Sequence, residues 1–304
     1  MRVFVTGATG FIGSATVREL IDAGHQVVGL ARSDAAAHAV AEAGAEVHRG
    51  SLEDLDSLRS GAAAADGVIH TAYIHDFSQM EHAARTNLSA IETMGAVLEG
   101  SGRPLVVTSG TALVKPGTLV TEEDSPDPAG GFHPRFAAEP TTHALTDRGV
   151  RASILRPANS VHGEGDHGFV PFLINQAREK RVSGYIGDGS NRWPAVHRLD
   201  TARLYRLAVE KAPAGSVLHA VGDEGVRTRE IAEVIGRHLG VPVVSISPED
   251  ARDHFDWMAM FWSLDVPASS AFTQERMGWA PEHLGLIADL ELGHYFRQPQ
   301  AVAA

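Results

Sequence analysis

The sequence predicts an α/β protein built on a doubly wound parallel sheet, followed by a smaller C-terminal lobe. First, the strand-like runs in the early part of the chain are continuously apolar and β-branched, which is typical of strands buried on both faces. Second, alanine-rich helical segments separate these runs, and this alternation builds a parallel sheet. The strand-like runs are residues 3–5, 26–30, 67–70 and 105–108, and the helical segments are residues 13–23, 35–43 and 82–98.

The pattern changes after Arg151. Residues 152–157 predict one more core strand, and a loop rich in Gly, Asp and His follows it. Beyond that loop the chain is expected to return to the sheet, through residues 196–200, the helix after them and residues 217–220. The chain then continues with a helix from Thr228, a strand at 243–246 and a cluster of aromatic residues. We therefore expect a sheet domain over residues 1–157, to which residues 195–222 return, and a lobe made of residues 158–194 and 223–304.

Composition and charge exclude several classes of function. The chain has 304 residues and a formal net charge of -12, and an acidic surface repels nucleic acid and anionic lipid. It contains no cysteine, which excludes disulfides, thiolate catalysis and cysteine-ligated zinc. No signal peptide or membrane-length apolar run is visible, so we expect a cytoplasmic protein that binds neither nucleic acid nor membranes.

A glycine-rich turn links the first strand to the first helix. Gly7, Gly10 and Gly13 have the spacing that a Rossmann dinucleotide site uses for a tight turn, close approach of the pyrophosphate and helix–strand packing. The helix N-terminus then offers free N–H groups and a positive dipole end to the phosphates. The predicted cofactor contacts in this turn are Gly7, Thr9, Gly10, Phe11, Ile12 and Gly13.

The end of the second strand indicates which dinucleotide binds. NAD sites place Asp or Glu there for the ribose hydroxyl, but this chain has Ala31 followed by Arg32. Because a guanidinium pairs with a 2′-phosphate and gains little from a hydroxyl, we expect NADP(H), with NAD(H) less favoured. The alternative is that Arg32 is an ordinary solvated loop residue.

The glycine turn resembles that of the extended short-chain dehydrogenase/reductase family, which includes nucleotide-sugar epimerases and dehydratases, and further similarities run along most of the chain. The resemblance implies that Ser51, Leu52, Thr71, Ala72 and Pro157 contact the cofactor. It also matches Asn87 to a helix asparagine of many members. It places Ser109 and Thr111 on the fifth strand, which delivers the family's catalytic Ser or Thr.

One departure from the family pattern affects the chemistry. Members normally carry Tyr-x-x-x-Lys after the fifth strand, and aligning Glu139 with a trailing Glu of this motif puts Gly131 at the tyrosine and Arg135 at the lysine. The chain therefore resembles an atypical branch that lacks the usual motif. Arg135 would still hold the ribose or a phosphate, but a guanidinium does not release a proton near neutral pH.

Another group must then supply the proton. Tyr73 and His75 follow the fourth strand and are both plausible general acids, with Asp76 available to orient the histidine. Ser109 and Thr111 would orient a carbonyl by hydrogen bonding, because their hydroxyl pKa is too high for them to donate a proton unaided.

Residues further along the chain predict a substrate pocket. His162 and His167 lie in a glycine-rich loop that does not fix metal geometry, so we interpret this loop as substrate-binding and expect no metal. Asn191, Arg192 and Trp193 offer a donor, a cation and an aromatic plate. Trp257 lies where the family's lobe closes over the cleft, which favours a fairly hydrophobic substrate, although such aromatics also serve as lobe core.

The sequence as a whole predicts an NADP-dependent oxidoreductase that transfers hydride to or from a carbonyl, C=C or C=N group of a small molecule. A nucleotide-sugar epimerase or dehydratase is the enzymatic alternative, and a non-catalytic NADP(H)-binding redox sensor is the alternative of another class. Because members of the family are often dimers, the resemblance also implies a homodimer.

Overall fold

A computed structural model describes residues 1–76, 79–126 and 134–297. Its centre is a seven-stranded sheet in the order β10-β6-β5-β4-β1-β2-β3, and every neighbouring pair of strands is parallel. The predicted α/β fold with a Rossmann-type parallel sheet is therefore confirmed. The strands are β1 (Arg2–Thr6), β2 (Gln26–Ala31), β3 (Glu46–Arg49), β4 (Gly67–His70), β5 (Pro104–Thr108), β6 (Arg151–Pro157) and β10 (Val217–Ala220).

Helices cover both faces of this sheet, which is why its central strands are apolar on both sides. One core packs α1, α2 and α7 against the sheet through residues such as Leu20, Val40 and Leu204. The other core packs α3, α4 and α5 through residues such as Leu58 and Ile91. The helices are α1 (Phe11–Asp22), α2 (Asp34–Glu42), α3 (Leu55–Ala63), α4 (Met80–Leu98), α5 (Ala138–Asp147) and α7 (Arg198–Lys211).

Three of these elements, β3, α3 and α5, were not predicted from the sequence patterns. The strand β3 lies at the sheet edge and is only half-buried, so it lacks the continuous apolar run of the inner strands. The helix α3 has a mixed composition and therefore a weak sequence signal. Its N-terminus is stabilised by a cap, in which the Asp54 side chain accepts a hydrogen bond from the Ser57 amide (3.1 Å).

Most of the rest of the chain forms the smaller lobe, which has a third, aromatic core of its own. Its strands build a three-stranded sheet in the order β11-β9-β7 and a β12-β8 pair. They are β7 (Ser160–His162), β8 (Ser183–Ile186), β9 (Arg192–His197), β11 (Asp223–Arg227) and β12 (Val243–Ile246). The lobe helices are α6 (Phe169–Lys180), α8 (Thr228–Leu239), α9 (Ala251–Phe255), α10 (Met258–Trp262) and α12 (Leu286–Glu291). The helix α11 (Ala271–Met277) packs instead against β10 of the large sheet and against α7.

The return of the chain to the large sheet is only partly as expected. Residues 217–220 form β10 beside β6, and α7 packs against the sheet. Residues 196 and 197, in contrast, end β9, which pairs with β7 and β11 instead of with the large sheet. The division into a sheet domain and a lobe at the predicted boundaries stays a prediction.

None of the helices in the described part of the chain is long and apolar enough to cross a membrane.

Candidate functional site

The glycine turn lies at the carboxyl edge of the large sheet, between β1 and α1. Gly7 has a φ of 70°, and a Cβ added to Gly13 would lie 1.9 Å from the Gly7 carbonyl oxygen, so only glycine lets the helix begin this close to the strand. The cap residue Gly10 offers no side chain to the first amides of α1, and the first turn of α1 carries no acidic residue. These amides are therefore available to an anionic phosphate, and the turn fits the pyrophosphate of a dinucleotide. In the same turn Thr9 is exposed, and Phe11 and Ile12 are half-buried.

The segment that follows β4 packs against the glycine turn. Thr71 Oγ1 donates to the carbonyl oxygen of Thr6 (2.8 Å) and the Ala72 amide donates to Thr6 Oγ1 (3.4 Å). A Cβ on Gly7 would lie 2.7 Å from the Ala72 nitrogen. Thr71 and Ala72, both predicted as cofactor contacts, thus lie directly against the glycine turn.

The adenosine end of the predicted site lies where β2 and β3 leave the sheet. Ala31 pairs with Arg49 across these strands, so Arg32 and Ser51 follow at neighbouring strand ends. Arg32 is exposed and Ser51 is half-buried, while Leu52 packs on the core beneath α3. The buried residue that ends β2 is alanine instead of a carboxylate, as the NADP prediction requires.

Arg135 packs against Tyr73. It lies in a short 3₁₀ helix before α5 (Pro134–Ala137), with its guanidinium carbon 4.1 Å from the centroid of the Tyr73 ring. Its Nη2 donates to the Thr108 carbonyl oxygen at the end of β5 (3.4 Å). Arg135 thus lies beside the sheet edge, and its assignment to the lysine position of the family motif stays a prediction. Gly131, at the tyrosine position, lies outside the described residues.

Burial shifts the pKa values of Tyr73 and His75 in opposite directions. Burial raises the pKa of Tyr73, and the nearby Arg135 cation opposes that rise. Burial and then the same cation lower the pKa of His75, whose ring lies 5.3 Å from that of Tyr73 in an edge-on contact. At neutral pH Tyr73 is therefore a protonated phenol and His75 a neutral imidazole. The Asp76 carboxylate accepts a hydrogen bond from the side-chain amide of Gln79 (2.9 Å).

The two hydroxyls on the other side of this edge follow β5. Ser109 is 4% exposed, and its Oγ has no hydrogen-bond partner among the described residues, as is also true of the Tyr73 hydroxyl. Thr111 Oγ1 donates to the carbonyl oxygen of Pro157 at the end of β6 (3.4 Å). Buried polar atoms without partners are rare in folded proteins, so Ser109 and Tyr73 mark a place where a polar ligand group fits.

The loop between β7 and α6 separates the two histidines that the sequence grouped together. His162 is buried, with its Nδ1 2.8 Å from Asp289 Oδ2 of α12. His167 is exposed, and its ring lies edge-on to Phe11 of the glycine turn at 5.8 Å. His162 therefore points into the lobe, and of the two histidines His167 is the one that lies at the glycine turn.

Residues 191–193, predicted to bind substrate, have structural partners instead. The Asn191 side-chain amide donates to the backbone carbonyls of residues 262 and 264, at 2.8 and 3.1 Å, and Arg192 forms a bidentate ion pair with Asp265. Trp193 is 0% exposed and donates to the Phe261 carbonyl oxygen (3.2 Å). These contacts anchor the start of β9 within the lobe, and the role of the three residues as substrate contacts stays a prediction.

An apolar cavity of about 580 Å³ lies between the lobe and the start of α4. Trp257, predicted as a substrate contact, is half-buried in its wall and packs 4.9 Å from Phe172. Ala112, next to Thr111, packs against the same aromatic core. The apolar lining comprises Met80, Ile186, Pro248, Ala251, Trp257, Ala259, Met260 and Phe261, and the polar lining Arg252, Asp256 and Ser263.

Sequence reasoning missed two buried polar networks beneath the site. His70 Nδ1 lies 2.7 Å from Thr6 Oγ1 and its Nε2 lies 3.0 Å from Asn87 Oδ1. Arg156 makes a bidentate ion pair with Glu139, at 2.8 and 2.6 Å, and both side chains are almost fully buried. The sequence signal that could have revealed these networks is a polar residue within, or at the end of, an apolar strand.

Comparisons with known proteins agree with this fold. Residues 3–220 match the model of the NAD dependent epimerase/dehydratase family. An uncharacterized protein of Schizosaccharomyces pombe is 51% identical over 300 residues, covering 97% of this chain and 100% of the relative. A 2-alkyl-3-oxoalkanoate reductase of Stenotrophomonas maltophilia is 30% identical over 260 residues, covering 80% of this chain and 77% of the relative.

Solved structures share the fold at lower identity. A dTDP-glucose 4,6-dehydratase of Streptomyces venezuelae, solved with NAD bound, superposes with a TM-score of 0.76 at 21% identity, covering 96% of each chain. The chain belongs to the NAD dependent epimerase/dehydratase family. The resemblance to extended short-chain dehydrogenases/reductases is confirmed, and with it an oxidoreductase fold in a family of nicotinamide-dependent enzymes that includes reductases and epimerases.

Proposed function

We propose that this protein is an NADP(H)-dependent oxidoreductase that transfers hydride to or from a carbonyl, C=C or C=N group of a small, fairly hydrophobic molecule. One observation carries the proposal: Tyr73, stacked on Arg135, holds a hydroxyl without a partner among the described residues, at the sheet edge that also carries Ser109. The bound cofactor supplies or accepts the hydride. The glycine turn and Arg135 are the residues that would hold it, with Arg32 at the 2′-phosphate.

Tyr73 is the better of the two candidate acids. Reduction of a carbonyl leaves an oxygen that must take a proton, and a neutral imidazole such as His75 is a poor donor. Tyr73 is protonated at neutral pH, and the guanidinium of Arg135 beside its ring stabilises the phenolate that forms. His75, in edge contact with Tyr73, then positions the ring and returns a proton from solvent.

Ser109 and Thr111 orient the substrate. The hydroxyl of Ser109, which has no partner among the described residues, suits a carbonyl oxygen, and the aromatic wall of the lobe cavity suits an apolar substituent. A related enzyme named for the reduction of 2-alkyl-3-oxoalkanoates supports a hydrophobic carbonyl substrate. The apolar lining favours this reaction over epimerisation or dehydration of a sugar nucleotide.

The cofactor is tested by binding. Isothermal titration with NADPH and NADH should show tighter binding of NADPH, and Arg32→Ala should remove most of that preference while leaving NADH binding unchanged. Charge-assisted hydrogen bonds to a phosphate contribute about 1.5–3 kcal/mol, so the expected loss is roughly 10- to 150-fold. Equal affinity for the two cofactors in the native protein would contradict the assignment of Arg32.

The chemistry is tested by following NADPH oxidation against ketones, enones, imines and sugar nucleotides. Tyr73→Phe should lower kcat by roughly 10²- to 10⁴-fold with little change in NADPH affinity, whereas Tyr185→Phe, in the lobe strand β8, should leave kcat unchanged. Full activity of Tyr73→Phe would exclude it as the acid. Turnover of sugar nucleotides alone would favour an epimerase or dehydratase, and tight NADPH binding with no turnover would favour a redox sensor.

We also propose a homodimer and a cytoplasmic location. Size-exclusion chromatography with light scattering distinguishes a dimer from a monomer.

A further inference from the structure

Arg198 lies between the glycine turn and the loop after β7. Its guanidinium carbon is 4.8 Å from the centroid of the Phe11 ring, at the start of α1. Its Nη1 donates to the carbonyl oxygen of Glu164 (2.8 Å). A Cβ on Gly163 would lie 3.1 Å from Arg198 Cγ, so the loop runs directly along the arginine stem.

The charge of Arg198 lacks a carboxylate partner among the described ion pairs, although the protein as a whole is acidic. Nε and Nη2 of this residue form no hydrogen bond with the described part of the chain, since its one such bond runs from Nη1 to Glu164. Burial and then repulsion by Arg18 of α1 lower the pKa of Arg198, with Glu164 opposing only weakly. His167 also lies against Phe11. Arg198 and His167 thus both lie against Phe11 in the glycine turn, and Arg18 adds a further positive charge near Arg198.

We infer that Arg198 binds the cofactor pyrophosphate from the start of α7 and holds the loop 163–168 beside it. The inference rests on the proposed dinucleotide binding. The guanidinium fork can bind phosphate oxygens in a bidentate manner while Nη1 keeps its bond to the loop. A pyrophosphate would also neutralise the mutual repulsion of the two arginines, which otherwise costs free energy at this turn.

The experiment measures binding by isothermal titration with three ligands. NADP⁺ and 2′-phospho-ADP-ribose both carry the pyrophosphate, and only the first carries nicotinamide, whereas 2′-AMP carries neither. Arg198→Met should weaken both pyrophosphate ligands by about tenfold or more and leave 2′-AMP unchanged. Arg198→Lys should recover part of the affinity, because it keeps the charge and loses the fork.

Arg229→Met is the matched control, since it removes the same charge from an exposed pair with Glu233 within α8, and it should change none of the three affinities. The salt dependence of NADP⁺ binding should become shallower in Arg198→Met. Unchanged NADP⁺ affinity in Arg198→Met, or an equal loss for all three ligands, would overturn the inference. Failure of the native protein to bind NADP⁺ at all would instead reject the proposed function, so the two failures are distinguishable.

Discussion

Two buried histidines, His70 and His219, make the stability of the fold sensitive to acid. His70 ends β4, is 1% exposed, and lies between Thr6 and Asn87. Burial lowers its pKa to about 4 from an ordinary value of 6.5. Burial, followed by repulsion from Arg156, lowers the pKa of His219 to about 3. Both side chains are therefore neutral in the folded protein at pH 5, while they are protonated in the unfolded chain.

The sign and size of the effect follow from proton linkage. A histidine with a depressed folded pKa stabilises the fold above pH 6.5, and this contribution is lost as the pH falls towards the folded pKa. Between pH 7 and pH 5 each residue protonates almost completely in the unfolded state only, which costs about 2 kcal/mol per histidine. The two together should lower the free energy of unfolding by about 4 kcal/mol, a large share of the stability of an ordinary domain.

Urea unfolding followed by circular dichroism at pH 7 and pH 5 measures this difference. His70→Gln keeps a donor towards Asn87 and cannot titrate, so its loss of stability from pH 7 to pH 5 should be smaller than that of the native protein by about 2 kcal/mol. His219→Gln should show the same reduction, which protects the test if one variant folds poorly. An unaltered pH dependence in both variants would refute the reasoning.

Three further predictions concern other parts of the site. Gly13→Ala should weaken NADPH binding by more than about 100-fold, because the new methyl would meet the Gly7 carbonyl oxygen and move α1 by overpacking; isothermal titration measures this, and near-native affinity would contradict it. Trp257→Ala should raise the KM for apolar substrates by about tenfold with little change in kcat, since it removes cavity wall and not a reacting group; steady-state kinetics would contradict it by showing a loss in kcat alone. Arg156→Met should cost about 3–5 kcal/mol of stability, because it leaves the Glu139 carboxylate buried without its partner; denaturant titration would contradict it by showing a change below 1 kcal/mol.

Local patterns predicted the elements whose cause is local. The apolar runs at 67–70 and 105–108 form β4 and β5, because a strand buried on both faces needs apolar side chains throughout. The glycine spacing predicted the turn for a similar reason, since Gly13 is required by contact with Gly7, six residues away. The edge strand β3 was missed because a half-exposed strand has no continuous apolar signal.

Local sequence patterns did not predict which way the side chains of the candidate site residues point. Residues 191–193 look like a polar binding set in the sequence, yet Trp193 faces the lobe core and Arg192 pairs with Asp265 from a distant segment. His162 and His167 are neighbours in sequence and diverge in space because one faces α12 and the other the glycine turn.

The sequence by itself determined the α/β fold and the glycine turn between β1 and α1, and it predicts a departure at Arg135 from the family pattern, since each depends on residue types at short spacing. Only the tertiary structure decided that Arg135 stacks on Tyr73, and that Arg198 at the start of α7 reaches Phe11 at the start of α1. These contacts join segments far apart in the chain. The physical reason is that parallel strands gather their carboxyl ends at one edge of the sheet, and only the packed sheet shows which side chains meet there.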